Sequence, residues 1–163
     1  MQRASYAIAL GSNRRTRHGS PRATLIAAIA ALARVGRATA RSPIIDTAPL
    51  GPSHRRFANA AVLVESALAP DELLGELKRI ERDFGRRRGQ RWGQRGLDLD
   101  IVLWSRGAWA SPGLVVPHAA FRTRSFVLEP LAAIAADWRD PVSGATVRQI
   151  GTRAKRQKAK LNS

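Results

Sequence analysis

The segment GRRRGQRWGQRGLDLDIVLW, residues 85–104, carries five arginines (Arg86, Arg87, Arg88, Arg91 and Arg95) and then two aspartates, Asp98 and Asp100, inside an apolar run. Side chains alternate across a strand, so Asp98 and Asp100 are expected on one face, with Leu97, Leu99 and Ile101 on the other. Their Cα atoms then lie roughly 6.5–7 Å apart, at about 3.3 Å rise per residue. Two carboxylates so close repel each other and lose hydration. A hard divalent cation relieves both costs, and magnesium prefers carboxylate oxygens. One bridging and one terminal aspartate could hold a metal pair about 3.5–4 Å apart. The plain alternative is a solvated strand face on which each aspartate pairs with a nearby arginine. The arginines shift that balance, because metal-held polyphosphate needs further cations and guanidinium forks match phosphate oxygens in pairs. Carboxylates for metal beside arginines for phosphate is the combination that phosphoryl transfer uses.

The common phosphate cradles are missing from the chain. It has no G-x-x-x-x-G-K-[ST], no G-x-G-x-x-G between strand and helix, and no kinase-like H-R-D or D-F-G. A bound nucleotide would therefore be held by metal and arginine rather than by a glycine nest. Gly85, Gly89, Gly93 and Gly96 mark the arginine segment as a lid able to close over phosphate and exclude water.

The elements that must position these groups read as follows. Residues 6–10 (YAIAL) form a short buried strand stopped by Gly11-Ser12-Asn13. Ser20-Pro21 caps a helix over the alanine-rich stretch that follows. Residues 40–52 read as extended, turning at their prolines, and residues 57–66 as a second clear strand. Pro70-Asp71-Glu72 opens a helix whose Leu73, Leu74, Leu77, Ile80 and Phe84 recur at helical spacing, and Gly85 ends it. The aspartate strand comes next, then a mixed segment with room for a short edge strand, and then helical turns interrupted by Pro130. The order strand, helix, strand, strand, helix, strand predicts an α+β, ferredoxin-like sandwich, a mostly antiparallel sheet with helices on one face and a mobile Arg/Gly-rich loop. Residues 1–153 are expected to form a single domain, and residues 154–163 a basic tail that is frayed or disordered.

Composition narrows the class without deciding it. The chain has 163 residues, 44% apolar and 25% charged, with no cysteine, which excludes disulfides and thiolate metal sites. No apolar run approaches the roughly 20 residues that span a bilayer, and the N-terminus does not read as a signal peptide, so a cytoplasmic protein is expected. A net charge of +16 favours an anionic partner, though an arginine bias also follows from genome base composition.

RWGQRGLDLDIVLW followed by VVPHAAFRTRSFVLEPL resembles the 6-hydroxymethyl-7,8-dihydropterin pyrophosphokinase family of folate biosynthesis. IALGSN, TAPLGP, FANAAVLVE and GRRRGQRWGQR resemble it too, in the same order, so the likeness runs over nearly the whole chain. The resemblance implies transfer of the pyrophosphoryl group of ATP to the pterin hydroxymethyl oxygen, with release of AMP. It implies Asp98 and Asp100 as ligands of two Mg2+ ions. Arg86 and Arg95 become catalytic lid arginines that grip phosphate, and Arg86, Arg88, Arg95, Ile101, His118 and Arg124 become ATP contacts. Thr47, Ala48, Leu50, Phe57, Asn59, Trp92 and Phe126 fall at the pterin, with Phe57 and Phe126 sandwiching the ring. Without the family, Phe57 and Phe126 read as core residues and His118 as a surface or capping histidine. Two aromatic faces nonetheless suit a flat bicycle, and the Asn59 amide offers the donor and acceptor that a pterin edge requires. Ala48 and Ala119 depart from the family's usual residues at their positions.

No side chain is assigned as a general base. A monomer acting on two small molecules is expected, with no membrane and no specific nucleic acid. Two other readings stand beside this one. The charge and the basic tail fit a ferredoxin-like RNA-binding module, although the RRM aromatic motif is absent and aromatic residues make up only 6% of the chain. A relative that keeps the sites and has lost turnover is the other.

Overall fold

The structure, a computed structural model, describes residues 2–47, 57–85 and 96–163. Its centre is a five-stranded antiparallel sheet of β1 (Ala4–Ser12), β2 (Arg37–Arg41), β3 (Ile45–Thr47), β4 (Phe57–Ser66) and β5 (Asp98–Trp104). The strand order is β2-β4-β1-β5, with β3 pairing further along the same edge of β4 as β2. Helices α1 (Pro21–Ala31) and α2 (Pro70–Asp83) connect β1 to β2 and β4 to β5. With β2 and β3 taken as one broken strand, this is the β-α-β-β-α-β order expected from the sequence.

Local chemistry explains most of the boundaries. The Ser20 hydroxyl accepts from Ala23 N at 3.2 Å, and Pro21 sits where its missing N–H costs nothing. Ala69 cannot cap α2, but Glu72 reaches back to accept from Ala69 N at 3.0 Å. The extended segment expected over residues 40–52 begins earlier, at Arg37, and divides at Pro43. Ser42 bridges the break, donating its N–H to Ala61 O and accepting from Ala61 N through its hydroxyl. Strand β1 is longer than expected and runs through Gly11 and Ser12, because both continue to pair with β4. The mixed segment after β5 is a small hairpin, β6 (Trp109–Ser111) with β7 (Leu114–Val116).

The main core lies between the sheet and α1/α2. Tyr6, Ile8 and Leu10 of β1 and Leu97, Leu99 and Ile101 around β5 meet Leu25 and Ala28 of α1 and Leu73, Leu77 and Ile80 of α2. This is the single helical face expected from the sequence. The opposite face is also covered, by α3 (Ser125–Ala135) and α4 (Val147–Leu161), so the sheet has helices on both sides. Ala7, Ala61, Leu63 and Val102 pack there against Leu128, Leu131, Val147 and Ile150.

Two helical expectations change. Pro130 lies inside α3 without ending it, since burial of Leu128, Leu131 and Ala135 outweighs one missing backbone bond. The basic tail is helical through Leu161 rather than frayed. Thr146 and Gln149 form a reciprocal cap at its start, and Val147, Ile150 and Ala154 anchor its inner face.

Candidate functional site

The α3/α4 layer covers only part of its side of the sheet. Ala7, Ala61 and Leu63 are beneath it and Val102 is at its edge, whereas Gly11, Phe57, Asn59, Asp98 and Asp100, toward the other end of the same strands, line an open cavity of about 840 Å³. Register makes two cross-strand rows here: Asn59, Gly11 and Asp98 on the floor, then Ala61, Ala9 and Asp100, of which Ala61 is already under the helical layer. The middle strand supplies only glycine and alanine, so nothing rises between β4 and β5. A Cβ on Gly11 would lie 3.2 Å from Asn59 Oδ1.

Asp98 and Asp100 share the face expected of them and are both exposed, while Leu99 between them is buried in the main core. The backbone N–H of Leu99 donates to Glu81 Oε2 on α2 at 2.9 Å, which pins β5 between the two carboxylates. His118 is held by its own N–H to Val102 O at 3.0 Å. Its Nδ1 accepts from Ala120 N at 3.2 Å, so the neutral ring carries its proton on Nε2. That nitrogen lies 4.0 Å from Asp100 Oδ1, too far for a hydrogen bond.

Arg124, at the start of α3, lines the same cavity, with its guanidinium 5.8 Å from the centre of the Phe126 ring. Phe57 and Phe126 are half-buried at the cavity rather than in the core, and Asn59 is buried on its floor. The backbone of Thr47 pairs with Phe57 at the edge of β4. Ala48, Leu50, Arg86, Arg88, Trp92 and Arg95 lie outside the described residues.

A second, smaller cavity of about 290 Å³ adjoins the first. Leu74, Lys78 and Glu81 of α2 line it together with Ile101, Leu114 and Val115, and it shares Asp98, Asp100 and His118 with the larger one. Two cavities of different lining thus meet at one pair of carboxylates.

The chain on either side of residues 86–95 is held by the end of β1 and the loop that follows it. Ser12 Oγ donates to Gly96 O at 2.6 Å, and Arg14 donates to Gly85 O at 3.3 Å. The His18 ring stacks on Phe84, with centres 4.2 Å apart. A Cβ on Gly96 would come within 2.5 Å of Thr16 Cγ2, so a larger residue there would force the Thr16 side chain to shift.

The turn between His118 and Arg124 is fixed by burial of Phe121 and by Arg122, whose guanidinium grips buried Asp140 with both arms. That fork, assisted by the Ser143 hydroxyl and Val142 N–H, holds the Asp140 carboxyl well below the usual carboxylate range and raises the Arg122 pKa.

Several lining residues escaped sequence reasoning. Gly11 read as a strand terminator, Lys158 fell in the tail expected to be frayed, and Lys78 and Glu81 were not singled out. Leu74, Lys78 and Glu81 do recur at i, i+4 and i+7, which places them on one face of α2, but nothing local says that this face looks toward β5.

Comparison with known proteins bears on the family and the fold. The family model described as 7,8-dihydro-6-hydroxymethylpterin-pyrophosphokinase matches residues 7–136. The 2-amino-4-hydroxy-6-hydroxymethyldihydropteridine pyrophosphokinase of Pseudomonas aeruginosa is 43% identical over 137 residues, covering 82% of each chain. That of Haemophilus influenzae is 37% identical over 158 residues, 95% of this chain and 96% of the relative. The crystal structure of Plasmodium falciparum HPPK-DHPS shares the fold, with a TM-score of 0.78 at 14% sequence identity. The superposition covers 99% of this chain, which spans 43% of that longer one. The chain belongs to the 7,8-dihydro-6-hydroxymethylpterin-pyrophosphokinase family.

Proposed function

We propose that this chain transfers the pyrophosphoryl group of ATP to the hydroxymethyl oxygen of 6-hydroxymethyl-7,8-dihydropterin, releasing AMP, as a step of folate biosynthesis. The observation that carries the proposal is the junction of two cavities at Asp98 and Asp100. A reaction that moves a polyphosphate fragment between two substrates needs a place for each and a shared point for the fragment.

The larger cavity suits the pterin. Phe57 and Phe126 offer aromatic faces for a flat bicycle, and the Asn59 amide can both donate to and accept from the ring edge. The smaller cavity suits the nucleoside end of ATP, with apolar Ile101 and Leu74 beside polar Lys78 and Glu81. Thr47, Ala48, Leu50 and Trp92 complete the pterin side of the proposal. Arg86, Arg88 and Arg95 join His118 and Arg124 at the phosphates. In this role the His118 Nε2–H, aimed toward the carboxylates, donates to a phosphate oxygen.

The carboxylates fit Mg2+, proposed as two ions. Both are exposed on one strand face, and no group of three or more possible metal ligands occurs among the described residues. Magnesium is commonly held by one or two carboxylates plus substrate phosphates rather than by an all-protein cage. When bound there it would neutralise phosphate charge as a Lewis acid. The chain's own residues then align the two substrates: the pterin hydroxyl oxygen attacks the β-phosphorus and loses its proton to solvent, the bond from that phosphorus to the α-phosphate oxygen breaks, and AMP leaves. Arg124 and the arginines of residues 86–95 take up negative charge on the transferring group and on AMP.

The test is purified protein with ATP, Mg2+ and the pterin, with nucleotide products resolved by chromatography. AMP that requires both the pterin and Mg2+, and is lost in the Asp98→Ala/Asp100→Ala double variant, is the expected result. ADP as product would place attack at the wrong phosphorus and overturn the proposal.

A further inference from the structure

The inward stripe of α4 is Val147, Ile150, Gly151 and Ala154, a helical face at i, i+3, i+4 and i+7. One turn beyond Ala154 the same stripe carries Lys158. There α4 has run past the apolar layer, and Lys158 lines the larger cavity together with Asp98, Asp100, His118 and Arg124. Lys155, Arg156 and Lys160 are exposed and do not line the cavity, and Arg156 and Lys160 lie off the stripe. No carboxylate among the described residues pairs with the Lys158 ammonium.

We propose that Lys158 is a phosphate-contacting residue, its ammonium meeting the polyphosphate chain from the α4 side of the cavity while Asp98 and Asp100 face it from the sheet. The proposal rests on the function assigned above. An ammonium on a flexible four-carbon stem offers three donors and adapts to a phosphate chain whose position changes as the group is transferred. It also gives a function to the helical tail, since only a helix continued to residue 158 brings this cation to the cavity. The competing account is that Lys158 merely complements the negative end of the α4 dipole. Lys160, in the same last turn but off the stripe, shares that role and serves as its control.

The experiment uses the full chain and the variants Lys158→Ala, Lys158→Arg and Lys160→Ala. Magnesium tripolyphosphate and 6-hydroxymethyl-7,8-dihydropterin are titrated separately by calorimetry, and KM for ATP is measured alongside. Loss of one charge-assisted contact should weaken tripolyphosphate binding and raise KM for ATP by roughly tenfold in Lys158→Ala. Lys158→Arg should keep most of the affinity, Lys160→Ala should stay within about twofold of wild type, and pterin affinity should hold throughout. An equal loss in Lys160→Ala would reduce the effect to general field and overturn the proposal. So would a Lys158→Ala loss confined to the pterin, or wild-type protein that does not bind tripolyphosphate. Wild-type protein that binds tripolyphosphate through Lys158 yet forms no AMP would instead overturn the assigned reaction. Because Lys158 is exposed, unchanged melting temperatures should show that the variants fold.

Discussion

Arg122 and Asp140 form a two-armed ion pair, Nε to Oδ2 at 2.6 Å and Nη2 to Oδ1 at 2.9 Å, in which the aspartate is completely shielded from solvent. The pair ties the turn between His118 and Arg124 to the loop that joins α3 to α4. Asp140 also accepts from Val142 N and the Ser143 hydroxyl, and its backbone bonds to Ala145 and Gly144 close that loop. The wall of the site thus hangs on one buried carboxylate.

Its pH dependence has a definite sign. The folded Asp140 pKa is depressed, so the pair contributes stability that is fully present above the unfolded value of about 3.9 and lost as pH falls through the folded value. Melting temperature should fall as pH drops below about 4, and Asp140→Asn should flatten that slope. Arg122→Ala leaves a buried carboxylate unpaired and should cost about 3–5 kcal/mol at neutral pH, measured by urea denaturation. An Asp140→Asn protein with the wild-type acid slope would show that other carboxylates set it.

Asp100→Asn removes a charge from a side chain that is half exposed, at 50%. Stability should therefore be nearly unchanged, while AMP formation falls by about 100-fold or more through loss of a charge at the transferring group. Steady-state assays at rising Mg2+ check this, and extra Mg2+ should recover only part of the loss. Wild-type turnover in the variant would remove Asp100 from the proposed metal site.

Gly11→Ala tests the floor between Asn59 and Asp98. The added methyl must displace the Asn59 amide, which it would approach to 3.2 Å. KM for the pterin should rise about tenfold, as expected when a polar contact to the substrate is misplaced, with KM for ATP little changed. A variant that raises only KM for ATP would put the pterin elsewhere.

Much of this was readable in order along the chain. Alternation placed Asp98 and Asp100 on one face of β5, and helical spacing placed Leu73, Leu77 and Ile80 in the core, because both are periodic consequences of backbone geometry. Ser20-Pro21 announced α1 by capping chemistry that acts over three residues. The family likeness ran over nearly the whole chain, with its most specific block in residues that stand close together in sequence from Arg91 to Asp100.

What the tertiary structure decided depends on contacts between distant segments. The Pro130 segment stayed one helix because it packs on the second face of the sheet, and the basic tail continues α4, whose start is anchored there by Val147, Ile150 and Ala154. Gly11 changed from a terminator into the open centre of the site, since only the pairing of β1 with both β4 and β5 sets it between Asn59 and Asp98. Glu81 and Lys158 reach the site from two helices on opposite sides of the sheet. Local sequence determines which way a side chain points on its own strand or helix, and only packing determines what it points at.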